Sequence, residues 1–202
     1  MSNPTSLRAL PRRPDRPVIR RVWPFEFSSW REHLKRLDPQ TRRARFFGPV
    51  RDEFIDSYVD RAHARGAIVY GAFVGGCMRA AGELQFTPDA WLPTAEAAFS
   101  VETGWQDEGI GSMLLSRVIL AARNRGVTSI TMHCQLDNAR MRRVAAKYGA
   151  ELKFEEGSIT GRLLQPWPDA VSWLEESFNE TQGVLAAVFR WPPQPPQTSL
   201  TR

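Results

Sequence analysis

The sequence predicts an α+β fold: one mixed, mostly antiparallel central sheet flanked by helices, with an extra C-terminal helix. Three observations predict it. Two apolar runs, Ala67–Val74 and Cys77–Phe86, flank Gly75-Gly76, and paired glycines between apolar runs mark a tight hairpin. A third strand-like run, Ala95–Val101, comes next, so three strands form a meander. Beyond it the pattern alternates helix, strand, helix and strand, which layers helices on one mixed sheet.

Residues 1–17 carry four prolines and read as a disordered basic tail. Val18–Val22 is a candidate first strand. Ser28 is a candidate N-cap for a helix through about Leu37, with Trp30 and Leu34 on one face. Asp38-Pro39 stops it. The arginine-rich segment Gln40–Phe47 has room for a short helical turn. Val50–Arg65 is amphipathic, with Phe54, Ile55, Tyr58 and Val59 inward. Pro88–Pro93 is a loop. Gly109–Asn124 is helical by its apolar spacing and closes at Gly126. Val127–Leu136 is a strand, Asn138–Tyr148 a short helix ended by Gly149, and Glu151–Glu155 with Ser158–Leu164 a terminal strand pair. Pro168–Phe189 reads as the added helix, with Val171, Trp173, Leu174 and Phe178 apolar. Residues 191–202 form a proline-rich tail, which leaves one domain over residues 18–190.

Composition limits the function classes. Of 202 residues 42% are hydrophobic and seven are tryptophan, which fits a folded domain with a real core. The longest uncharged, largely apolar run, Ala67–Met78, has 12 residues, short of the ~20 that span a bilayer. No apolar leader segment precedes the first strand, and two cysteines make no disulfide framework, so a cytoplasmic protein is expected. His33, His63 and His133 are too far apart for metal-ligand spacing. The net charge of +5 matches the balance of residues 1–21, which hold six arginines and one aspartate. That arm reads either as a contact for nucleic acid or another polyanion, or as a plain solvated leader. No aromatic residue is interleaved there to stack on bases, which favours the leader.

The strongest functional signal is residues 101–113, Val-Glu-Thr-Gly-Trp-Gln106-Asp-Glu-Gly109-Ile-Gly111-Ser-Met. A strand, a glycine-punctuated loop and a helix start together make a backbone cradle for an anion, because the first helical turn has unpaired N–H groups and a partial positive charge. Neither a dinucleotide-binding G-x-G-x-x-G nor a P-loop is present. The spacing Gln106-x-x-Gly109-x-Gly111 resembles the Q/R-x-x-G-x-G/A loop of the GNAT superfamily of N-acetyltransferases, and the element order over about residues 18–165 is also that of the family.

The resemblance implies that Gln106, Asp107, Glu108, Gly109, Ile110, Gly111 and Ser112 hold the pyrophosphate of acetyl-CoA. It implies that Phe99 and Val101 run beside the pantetheine arm, with the Val101 N–H on the thioester carbonyl. It places Asn138 and Met141 at the same cofactor. Asn138 is equally suited to a plain N-cap.

Acetyl transfer to an amine needs a neutral nucleophile. A lysine-like amine has a pKa of ~10.4, so a base or a desolvating pocket must remove its proton. Glu96 matches the family's base position. Glu102, which alternation puts on the same strand face, and Glu83 on the neighbouring strand compete with it. The leaving thiol, with a pKa of ~8.5 in the cysteine analogue, departs readily. Family members often place a tyrosine seven residues after the asparagine as the acid for that thiolate. Here Ala145 takes that position, and Tyr148 lies nearly one turn on, where a core role is the simpler reading. Adjacent strand residues face opposite ways, so His133 and Cys134 read as structural. Arg42, Arg43 and Arg45, near the expected acceptor groove, read as a solvated basic face or as a selector of anionic acceptors.

The sequence therefore predicts an acetyl-CoA-dependent N-acyltransferase acting on a small-molecule or peptide amine. It predicts no membrane partner, and the final helix offers a surface for a homodimer. Two rivals stand beside it: a non-catalytic acyl-CoA sensor on the same fold, motivated by Ala145, and a nucleic-acid-binding protein working through residues 1–21.

Overall fold

The computed structural model describes residues 16–88, 91–155, 158–166 and 168–188. Most of the expected basic tail and all of the proline-rich tail lie outside the described residues. The strands are β1 (Val18–Val22), β2 (Ile68–Val74), β3 (Cys77–Phe86), β4 (Thr94–Val101), β5 (Ser129–Gln135), β6 (Glu151–Glu155) and β7 (Ser158–Leu164). The helices are α1 (Phe27–Arg36), α2 (Pro39–Phe46), α3 (Asp52–Ala64), α4 (Ile110–Arg123), α5 (Ala139–Lys147) and α6 (Ala170–Val188). One sheet of seven strands runs in the order β1-β2-β3-β4-β5-β7-β6. Every pairing is antiparallel except β4 with β5.

The β2–β3 hairpin closes through Gly75 and Gly76, at φ +57° and +80°. Both lie in the left-handed region that a two-residue turn of matching twist requires. β3 carries a bulge at Arg79, because Ala72 pairs with Ala80 while Phe73 pairs with Met78.

Two apolar layers hold the sheet. On one face α4 buries Ile110, Leu114, Leu115 and Val118 against Tyr70, Leu84, Ala97 and Ile130. On the other, α1 and α3 bury Trp30, Leu34, Ile55 and Val59 against Val69, Phe73 and Ala81. Each such side chain stabilises the fold by roughly 1.5–3 kcal/mol relative to exposure. Among the described residues, no helix is long and apolar enough to cross a membrane.

One local expectation is corrected. Ser28 is not the cap of α1. A 3₁₀ turn at Pro24–Glu26 precedes the helix, Glu26 is its N-cap residue, and the Glu26 carboxylate accepts the Trp23 N–H at 3.2 Å. Pro24 starts the turn early because its fixed φ suits a first helical position. In α6, Val171, Trp173, Leu174 and Phe178 are exposed, while Ser172 and Glu176 are buried. The surface α6 meets is polar: the Asn124 amide donates to the Ser172 carbonyl at 2.9 Å and to Glu176 at 2.7 Å, and Arg125 donates to Glu176 at 2.8 Å.

Candidate active site

β4 and β5 pair only over Thr94–Glu96 and Ser129–Thr131. β3 occupies the other edge of β4, and β7 the other edge of β5. Beyond that short ladder the two parallel strands part, and α2 touches both. A cavity of about 1080 Å³ fills the gap, lined by α2, both strands, the loop before α4 and α5.

Main-chain direction within the gap follows from two hydrogen bonds. The Glu102 N–H donates to Arg79 O at 3.0 Å, and Thr94 O accepts the Thr87 N–H at 2.9 Å. Even-numbered residues of β4 thus direct their peptide groups toward the β3 side. By strand alternation the peptide groups of Ala97, Phe99 and Val101 face the gap. The carbonyl of Val101 is taken by the Gln106 side chain at 3.0 Å, and its N–H points the same way.

The loop that follows bends through Asp107 at φ +63° and Gly109 at φ +78°. Gly109 is the N-cap position of α4, and its carbonyl accepts the Met113 N–H at 3.1 Å. The amides of Ile110, Gly111 and Ser112 precede that bond and have no acceptor within the helix. A Cβ at Gly111 would meet only Val144, at 4.0 Å, so the approach to these amides is open. This cradle fits a diphosphate. Opposite it, Asn138 caps α5 by accepting the Met141 N–H at 3.0 Å. Arg140 holds both Asp107 carboxylate oxygens at 3.0 Å, and Arg143 and Lys147 also line the cavity. Of the expected cofactor residues, Phe99, Val101, Gln106, Asp107, Gly109, Ile110, Gly111, Ser112, Asn138 and Met141 all line this cavity, whereas Glu108 does not.

The three candidate carboxylates separate sharply. Glu96 is exposed and lines the cavity, with no ion-pair partner among the described residues. Glu102 lies outside the lining. It is held by His33 at 3.2 Å, by Arg36 at 3.1 Å and by Arg79 at 3.0 Å. Burial raises its pKa, but the hydrogen bonds from His33 and Arg79 outweigh that and leave it below the ordinary glutamate value. Glu83 is buried and bound to Arg45 and Tyr58.

The arginine cluster is not a uniform basic face. Arg42 pairs with Asp52 at 2.8 Å, and partly buried Arg45 is neutralised by Glu83. Arg43 alone of the three is exposed on the cavity wall without an ion pair among the described residues.

Two histidines carry more than the sequence suggested. His133 is exposed and lines the cavity, with Thr160 Oγ1 3.2 Å from its Nδ1. The parallel pairing of Glu96 with Thr131 puts His133, two residues on, on the same sheet face as Glu96. A signal existed: in the gap an outward strand residue faces a cavity rather than solvent. Buried His33 places Nε2 2.9 Å from Ser100 Oγ. Cys134, by contrast, is buried as expected. Tyr148 donates its hydroxyl to Ser112 O at 2.8 Å and packs on the core beside buried Ala145, so no phenol stands at the Ala145 position.

Known proteins now bear on this geometry. A sequence model described as the Acetyltransferase (GNAT) family matches residues 27–150, more than half of the chain. Among solved structures, the GNAT domain of S. lividans PAT aligns at TM-score 0.61 with 20% identity, over 72% of this chain and 89% of that one. A putative acetyltransferase, yncA from Salmonella typhimurium, solved with its cofactor acetyl-CoA, aligns at 0.58 with 19% identity, over 77% and 99%. A cAMP-binding acyltransferase from Mycobacterium smegmatis aligns at 0.52 with 21% identity, over 86% of this chain and 56% of that one. At these identities the structural likeness establishes the fold, and the family match adds the lineage: the chain belongs to the GNAT family of acetyltransferases.

Proposed function

We propose that this acetyltransferase moves the acetyl group of acetyl-CoA directly onto a primary amine, with Glu96 as the base. One observation carries the assignment. Glu96 is the only one of the three candidate carboxylates that opens into the cavity free of an ion pair among the described residues. Glu102 is clamped by Arg36 and Arg79, and a carboxylate so held is a poor proton acceptor. Glu83 is buried against Arg45 and Tyr58 and lies outside the cavity lining.

In this reading the diphosphate rests on the amides of Ile110, Gly111 and Ser112, and the pantetheine runs along the free edge of β4. Glu96 takes the ammonium proton, the amine attacks the thioester carbon, and the Val101 N–H stabilises the charge that develops on oxygen. The thiol then leaves, assisted by its low pKa rather than by a phenol at Ala145. The acceptor enters beneath α2, where Arg43 and His133 line its path.

The test is Glu96→Gln. Turnover with an amine should fall by about 10²–10⁴-fold while acetyl-CoA still binds. Wild-type turnover in the variant overturns the assignment. A sensor reading, favoured only by the missing phenol, predicts acetyl-CoA binding with no thiol release from any amine. The polyanion reading rests on an arm whose residues 1–15 lie outside the described residues. Of its three described arginines, Arg16 is exposed, whereas Arg20 pairs with Glu26 at 2.7 Å and Arg21 with Glu180 at 2.8 Å.

A further inference from the structure

Ser100, His33 and Glu102 stand in line. Ser100 Oγ lies 2.9 Å from His33 Nε2, and His33 Nδ1 lies 3.2 Å from Glu102 Oε1. Glu102 is itself fixed by Arg36 Nε at 3.2 Å and Arg79 Nη1 at 3.0 Å. The partners settle the tautomer. An ionised Glu102 only accepts, so Nδ1 carries the hydrogen and Nε2 is left as acceptor for the Ser100 hydroxyl. His33 is fully buried, which disfavours its charged form and keeps the imidazole neutral. That is the arrangement in which a histidine activates a serine and a carboxylate orients the histidine.

Placement makes the arrangement more than a tie between α1 and β4. Ser100 lines the cavity, on the stretch of β4 that has no partner from β5. The next residue, Val101, presents its N–H to the gap, and the N–H after a nucleophile is a recurrent oxyanion donor.

We propose that Ser100 is a nucleophile that takes the acyl group from a thioester and passes it to water, giving the protein an acyl-thioester hydrolase activity. This rests on the reading above that the acetyl thioester lies along β4. In the first step the Ser100 hydroxyl proton moves to His33 Nε2 and a Ser100 Oγ–carbonyl carbon bond forms. The carbon–sulfur bond then breaks, and the thiolate takes the proton from Nε2. The product is O-acetyl-Ser100 and free thiol. In the second step water gives a proton to Nε2 and bonds to the acetyl carbon. The ester bond breaks, acetic acid leaves and gives its proton to solvent, and Oγ regains the proton held on Nε2.

The experiment uses two acyl donors on the full chain without any amine: acetyl-CoA, followed by thiol release, and p-nitrophenyl acetate, which needs no coenzyme cradle. Wild-type protein should hydrolyse both, and acid-quenched samples should carry one acetyl group mapped to the Ser100 peptide. Ser100→Ala should lower both rates by about tenfold or more and abolish that adduct. Equal rates in wild type and Ser100→Ala, or no acetylated Ser100 peptide from either donor, overturns the proposal. The adduct is sought in wild type, so the test stands even where the variant folds poorly. Acetylation of Ser100 by p-nitrophenyl acetate alone supports the nucleophile and removes the coenzyme reading instead.

Discussion

The two walls of the cavity are built from different materials. The wall formed by the edge of β4, the loop before α4 and the first turn of that helix offers peptide groups: the N–H groups of Val101, Ile110, Gly111 and Ser112. The wall under α2 offers side chains: Glu96, Arg43 and His133. Apart from proline, no substitution deletes a peptide donor, which otherwise fails only when the backbone is displaced. A side-chain wall changes with every replacement. The first suits a ligand common to a whole family, and the second suits an acceptor that differs from member to member.

The largest effect should come from the side-chain wall: Glu96→Gln, with turnover about 10²–10⁴-fold down and coenzyme affinity kept. On the peptide wall, Gly109→Val should be next. Its φ of +78° suits glycine, and a β-branched residue there costs at least roughly 1–2 kcal/mol. Calorimetry should show acetyl-CoA binding weakened by about 5–30-fold, with Glu96 chemistry intact in what still binds. Arg43→Gln should raise the KM of carboxylate-bearing amines about threefold to tenfold, leave kcat near wild type and spare amines without an acidic group. Equal changes for both amine classes would remove Arg43 from acceptor selection.

Away from both walls, buried His33 makes stability depend on pH. Its pKa in the folded protein lies below 6.5 because burial disfavours the charge. The unfolded chain takes up a proton that the folded one refuses, so stability should be full above about pH 6.5 and fall as the pH drops below it. Denaturant titrations should show that slope, and His33→Gln should flatten it. The smallest effect belongs to Asp107→Asn. Its pairs with Arg140 and Arg143 are more than half exposed, so stability should hardly change. The freed arginines should tighten coenzyme binding slightly at low salt and not at high salt.

The same contrast explains what the sequence disclosed. The peptide wall is local in sequence, and glycines at 109 and 111 between a strand and an apolar helix identify it without any tertiary contact. The β2–β3 hairpin and the central helices were legible for the same reason. The side-chain wall is assembled from distant segments. Alternation put Glu96 and Glu102 on one face correctly, yet no local pattern says that His33 and Arg36, more than sixty residues earlier, close on Glu102. Glu83 is claimed likewise by Arg45 and Tyr58 from α2 and α3. The last helix was legible as a helix, but its docking face was not, for a related reason. An apolar stripe predicts an inward face only when the surface beneath it is apolar, and α6 docks instead through Ser172, Glu176 and Gly183, where a Cβ would sit 2.8 Å from Arg20 Cβ.

The most direct measurement is an amide NMR titration of the full chain with coenzyme A. A diphosphate seated on main-chain donors should shift the amides of Glu108–Ser112 and those of Phe99 and Val101, saturating together at one equivalent. Saturable binding that leaves those amides unmoved, or no binding at all, contradicts the account.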